Sequence, residues 1–142
     1  MKKIIVFGTF DVFHRGHSYF LKEAKKQGDY LIVVIARDKT VKKLKKEKPW
    51  NDEKERFNLV KNSLLADEVV LGNLKDKYKI IKEKKPDIIV LGYDQKFFVN
   101  KLQKKLKEFK LLKTKIIRLK SFFPQKYKSS IIKKSKLKLK QK

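Results

Sequence analysis

Short unbroken apolar runs alternate along the chain with longer stretches in which apolar residues return every three or four positions. Ile4, Ile5, Val6 and Phe7 stand together in the run Lys3–Gly8, and Tyr30–Ala36 reads YLIVVIA. Glu68–Leu71, Asp87–Gly92 and Lys115–Leu119 are three further runs of strand length. Consecutive β-branched residues, rather than alternation with polar ones, predict strands buried on both faces, the habit of parallel sheets. Between them, His17–Gln27 sets Phe20, Leu21 and Ala24 on one helical face, with Gly28 placed to cap its end. Asn51–Leu65 carries Asp52, Glu53 and Glu55 in its first turn, as the helix dipole favours, and then Phe57, Val60 and Leu64. Lys77–Lys85 offers Tyr78, Ile80 and Ile81 before Pro86 stops it. Phe97–Phe109 and Ser129–Leu139 complete the predicted helices, while Lys39–Pro49 and Lys120–Lys128 read as lysine-rich loops. This order predicts a doubly wound, parallel five-stranded α/β sheet with helices on both faces. In such sheets ligands bind beyond the carboxyl ends of the strands. The chemistry should therefore follow Phe7, Ala36, Leu71, Leu91 and Leu119.

The chain has 142 residues, enough for one domain with its own core. That domain is expected over residues 1–132, followed by a basic tail at 133–142. There is no cysteine and there are only two histidines. Disulfides, thiolate metal sites and a cysteine nucleophile are excluded. The formal charge is +25, distributed as +8 over residues 1–50, +1 over 51–100 and +16 over 101–142. Only four of the 40 cationic residues are arginine (Arg15, Arg37, Arg56, Arg118). Lysine on this scale suits an anionic small substrate as well as a polyanion. Contact with nucleic acid is expected only as non-specific electrostatics. No apolar stretch approaches a membrane span or a secretory signal, so the expected location is cytoplasmic.

The first strand runs into Gly8-Thr9-Phe10-Asp11-Val12-Phe13-His14-Arg15-Gly16-His17. Gly8 lets backbone approach a ligand, and Gly16 lets a helix start close to one. The two histidines stand where loop becomes helix. There, free amides and the positive end of the dipole favour phosphate. Imidazoles at that place can donate to a phosphate oxygen as charge builds in a transition state. The bland alternative makes one histidine a helix cap and the other a surface residue.

Gly8-Thr9-Phe10-Asp11 followed by His14-x-Gly16-His17 resembles the signature of the cytidylyltransferase-like nucleotidyltransferases. That family includes glycerol-3-phosphate cytidylyltransferase, phosphopantetheine adenylyltransferase and archaeal FAD synthase. The resemblance implies a Rossmann-like fold and in-line attack by an acceptor oxygen on the α-phosphorus of a nucleoside triphosphate. Pyrophosphate leaves and no covalent enzyme intermediate forms. Catalysis is then alignment and charge stabilisation. His14 and His17 become the catalytic pair, and Gly8, Thr9, Phe10, Asp11 and Gly16 become nucleotide-binding positions. The runs Ala36–Lys43, Leu71–Lys77, Lys85–Gln95 and Tyr127–Ile132 resemble archaeal FAD synthases in particular. The chain lacks the Arg-Thr-x-Gly-Ile-Ser-Thr-Thr run of the glycerol-3-phosphate enzymes, and it carries Lys128 where a hydroxyl residue is usual.

The remaining candidates each have an ordinary alternative. Ser129 and Ser130 open a helix and can hold the β- and γ-phosphates, or simply cap it. The resemblance implies that Arg56 touches the triphosphate; otherwise it pairs with acids of its own helix. Asp94 binds ribose or base, or caps the next helix. Lys42, Lys43 and Lys45 meet the triphosphate or the acceptor phosphate, or form a solvated loop face. Asp11 orients the acceptor or a hydrated Mg²⁺. Tyr127, with Phe122 and Phe123, offers flat apolar surface to an isoalloxazine ring, or anchors the last helix. The expected reaction is ATP plus FMN giving FAD and pyrophosphate, with Mg²⁺ accompanying the nucleotide. The alternatives are CTP with glycerol 3-phosphate or another polyol phosphate, and a cationic nucleic-acid-binding protein on the same fold. A homodimer is compatible with each.

Overall fold

The computed structural model describes residues 1–92, 95 and 99–120. In chain order the elements are β1 (Lys3–Gly8), α1 (Arg15–Lys25), β2 (Tyr30–Ile35), α2 (Asp38–Lys45), α3 (Glu53–Asn62), β3 (Glu68–Leu71), α4 (Lys79–Lys84), β4 (Ile88–Leu91), α5 (Val99–Glu108) and β5 (Lys115–Arg118). All five strands are parallel and lie in the order β3-β2-β1-β4-β5. Val6 sits beside Val33 on one side and Val90 on the other, so β1 is central.

The period of the strand decides which layer each residue joins. Ile4 and Val6 face a core with Leu21 and Ala24 of α1, Val60 of α3, and Val33 and Val90 of the neighbouring strands. On the opposite face, Ile89 and Leu91 pack with Ile81 of α4 and with Leu102 and Leu106 of α5. The central strands are therefore apolar at successive positions because both faces are covered. After β3 the chain crosses to the far side of β1. The order of the sheet thus reverses between β1 and β4, and the crevice lies at their carboxyl ends.

Five strands fall where the sequence predicts them, with ends moved by a residue or so. One predicted loop is instead a helix. Residues 38–45 within the lysine-rich stretch form α2, so Lys42, Lys43 and Lys45 stand on a helix. Asp38 favours its amino end, lysines its carboxyl end, and Lys46 closes it at φ 59°. Val41 is its one buried residue, and with Leu44 it makes up all of the apolar face, too short a repeat to read as a helix from the sequence. Helix α1 begins at Arg15, with His14 as its N-cap, rather than at His17. Gly28 is not a left-handed cap; Lys26 is the C-cap, in the right-handed region. Gly28 is small because a Cβ there would lie 3.0 Å from both Ile4 Cδ1 and the Lys2 carbonyl. The helix predicted over 51–65 spans Glu53–Asn62, and Asp52 caps it from outside. The helix expected at Ser129–Leu139 lies outside the described residues.

Candidate active site

Strand β1 ends at Gly8, and the chain then climbs through a loop that holds two left-handed residues, Phe10 at φ 54° and Val12 at φ 49°. Such a backbone is costly for any L-residue and most so for a β-branched one. Phe10 folds its ring back over β1. A Cβ on Gly8 would lie 2.5 Å from that ring, so glycine at position 8 is set by Phe10. The same ring meets His17 edge-on, with centroids 5.4 Å apart.

At the top of the loop the two histidines cap α1 reciprocally. The Gly16 amide donates to His14 Nδ1 at 3.0 Å, and the His14 amide donates to His17 Nδ1 at 3.3 Å. This is a capping box with imidazoles in place of hydroxyl and carboxylate. An amide donor facing Nδ1 requires a lone pair there. The hydrogen-bond network thus assigns the ring proton of both residues to Nε2. The rings stack with centroids 3.8 Å apart and planes 26° from parallel. Burial lowers the His14 pKa to about 4. Burial, reinforced by His14 and Lys45 against the opposing pull of Asp11, lowers that of His17 to about 3. At neutral pH both are uncharged, and each has one N–H to offer. His14 Nε2 is buried, in surroundings where a donor is most effective.

A second segment grips this loop from beneath. Asp11 is 3% exposed, and its carboxylate accepts from the backbone amides of Trp50 at 2.8 Å and Asn51 at 2.9 Å. Asn51 Oδ1 accepts from the Val12 amide at 3.2 Å. Arg56 is fully buried; it donates from Nε to the Asn51 carbonyl, from Nη1 to the Thr9 carbonyl at 2.8 Å, and from Nη2 to Asp38 Oδ1 at 2.7 Å. Helices α2 and α3 also exchange carboxylates at their starts. The Asp38 amide donates to Glu53 Oε1 at 3.0 Å and the Glu53 amide to Asp38 Oδ2 at 3.2 Å. Arg37 closes the clasp on Glu53 at 2.8 Å and on the Gly72 carbonyl at 2.9 Å.

Residues 5–135 match the family described as cytidylyltransferase-like. The chain belongs to that family. A FAD synthase of Aciduliprofundum boonei is 43% identical over 122 residues, which is 86% of this chain and 80% of the relative. A FAD synthase of Thermoplasma volcanium is 40% identical over 139 residues, 98% of this chain and 96% of the relative. A crystal structure from Thermoplasma volcanium GSS1, described as a lipopolysaccharide core biosynthesis protein, matches with a TM-score of 0.79 at 41% identity, over 86% of this chain and 98% of that one. Pantoate-beta-alanine ligase from Francisella tularensis, at 21% identity and a TM-score of 0.60 over 84% of this chain and 59% of that one, shares the fold.

In this cytidylyltransferase-like chain the motif residues Gly8, Thr9, Phe10, Asp11, His14, Gly16 and His17 form one continuous unit at the carboxyl end of β1. Two of them, and Arg56 of α3, are placed otherwise than their residue types suggest. Gly8 accommodates Phe10. Asp11 holds the 50–51 backbone with both oxygens. Arg56 lies behind the loop, paired with Asp38 of α2 rather than with the acids of α3. Lys42, Lys43 and Lys45 are all exposed on α2, and Lys45 is close enough to His17 to depress its pKa. Asp94, Tyr127, Ser129 and Ser130 lie outside the described residues.

Four further residues shape the crevice without having been singled out by sequence. Asn51 and Asp38 belong to the grip just described. Gln95 bridges the switch point, donating from Nε2 to the Phe7 carbonyl at 2.6 Å and accepting the Gly92 amide at 2.8 Å. Arg118, at the end of β5, donates to the Gly92 carbonyl at 2.7 Å. Arg37-Asp38 directly after a buried strand was the available signal for Asp38. Gln95 closes the run Lys85–Gln95 that resembles archaeal FAD synthases, but its contact with Phe7 and the contact of Asn51 with Val12 carry no local signal, because each acts on backbone far away in sequence.

Proposed function

We propose that this chain is an FMN adenylyltransferase: an oxygen of the FMN phosphate attacks the α-phosphorus of ATP, the bond to the β-phosphate oxygen breaks, and FAD and pyrophosphate result. The observation that carries the reading is the group of relatives named FAD synthase, 40–45% identical over most of both chains. The site's chemistry supports it independently. A phosphate monoester is already largely ionised at neutral pH and needs no base to become a nucleophile. Neutral imidazoles with the proton on Nε2 are suited to donating hydrogen bonds and not to abstracting protons. His14 and His17 thus act on the α-phosphate, stabilising charge as it grows in the transition state.

Nucleotide use is in keeping with the family. Among the described residues no three His, Asp or Glu side chains gather to hold a metal ion. Asp11, the carboxylate within the motif, already accepts two backbone amides. The reading takes Mg²⁺ to accompany the triphosphate, keeping waters of its own. We place the reaction in the cytoplasm, where ATP is available; no described helix is long and apolar enough to cross a membrane. Lys45 and its neighbours on α2 supply cationic surface beside the histidines. The test is chemical. Protein with ATP, Mg²⁺ and FMN should produce FAD as a new flavin peak in chromatography. Turnover of CTP with glycerol 3-phosphate and none of ATP with FMN would overturn the assignment.

A further inference from the structure

We infer that Asn51 is a positioning residue for the histidine pair, holding the motif loop in its strained form through the Val12 amide. The inference rests on the proposed activity. Val12 is β-branched, 7% exposed and left-handed at φ 49°. A residue held there persists only when its surroundings over-determine it. Four atoms of the loop are tied to the segment 50–56: the Thr9 carbonyl, both Asp11 carboxylate oxygens and the Val12 amide. Asn51 takes part in the last two residues' ties, and its carbonyl also accepts Arg56 Nε. Only the Val12 bond uses the acceptor of its side chain. The other end of that side chain is fixed too, because Nδ2 donates to Glu55 Oε2 at 3.2 Å. A carboxylate on one side and an N–H on the other leave a single orientation for the amide. Val12 is two residues before His14, whose own amide and ring form the cap of α1. A slack Val12 displaces both imidazoles together.

The two opposed partners account for an amide, rather than a carboxylate, at position 51. Asn51→Asp keeps the acceptor for Val12 but sets two carboxylates face to face. Glu55→Gln restores a donor for Asp and remains a suitable partner for the Asp52 cap. Four proteins are compared by FAD formation at saturating and limiting ATP: the native chain, Asn51→Ala, Asn51→Asp, and Asn51→Asp with Glu55→Gln. Asn51→Ala and Asn51→Asp should each lose about 10- to 100-fold in kcat, the scale of a misplaced reacting group, with the ATP KM moved less than about threefold. The double variant should regain most of the native kcat. Thermal melts accompany the assays. If Asn51→Ala is folded and retains kcat, the inference is wrong. If it unfolds, the double variant decides: recovery supports the role, and a folded, inactive double variant overturns it. Failure of the native chain to make FAD would refute the activity alone. The inference is then judged by ring-nitrogen NMR of Asn51→Ala, where loss of the native His14 and His17 Nε2–H signals supports it and unchanged signals overturn it.

Discussion

Unfolding this protein in mild acid should take up nearly two protons. Both imidazoles are held neutral in the folded chain, with pKa values of about 4 for His14 and about 3 for His17 against an ordinary value of 6.5. Between these limits the unfolded state binds protons that the folded state refuses, so stability rises with pH across the window and is fully present above it. At about pH 5.2 an unfolded imidazole is about 95% protonated, folded His14 about 6% and folded His17 less than about 1%, a difference of about 1.8 protons. Solvent around partly exposed His14 reduces its share, so the expected count lies between about 1 and 2. Urea midpoints measured from about pH 5 to 8 give the proton number from the slope of stability against pH. Asn is a good N-cap, so His14→Asn should remove one share while keeping α1 capped, and His17→Asn should remove the other. An uptake below about half a proton in the native chain, or an equal uptake in the chain carrying both His14→Asn and His17→Asn, would refute the neutral stacked pair.

Other outcomes follow from the same geometry. His14→Ala and His17→Ala should each lower kcat by about 10²–10³, the usual loss of one transition-state donor, as read by pyrophosphate release. Gly8→Ala sets a methyl 2.5 Å from the Phe10 ring. It should cost about 1–3 kcal/mol in denaturant titrations and lower kcat as well, since Phe10 braces His17. Arg56→Ala removes a buried cation with three hydrogen bonds. It should cost about 3 kcal/mol, and Arg56→Lys should rescue little, because one ammonium cannot span three separated acceptors.

The three central strands were legible because a strand covered on both faces must be apolar at consecutive positions, as Ile4 to Phe7 are. The histidine motif was legible because its residues are contiguous. Helix α2 was not, since its apolar face is only Val41 and Leu44, two positions among lysines that give too short a repeat to read. The partner of Arg56 was also hidden. Acids one turn away in its own helix were the nearer choice, yet the side chain turns inward to Asp38 on α2. Asn51 and Gln95 look like ordinary loop residues until folding brings Val12 and Phe7 to them. Contacts between segments set by topology, rather than by spacing, are what a single sequence withholds.

The exchange of carboxylates between Asp38 and Glu53 ties the two ends of a single excursion of the chain. Residues 39–52 leave and return through one doorway, with closure already enforced by Arg37 and Arg56. Lengthening a loop whose ends are pinned costs only about 0.6 kcal/mol per doubling. The excursion carries the lysines of α2 and, at Trp50 and Asn51, the support of the motif loop. Its far portion, Lys46 to Pro49, is thus an exchangeable cassette. Its length and charge can vary while the doorway, and the histidines it steadies, remain in place.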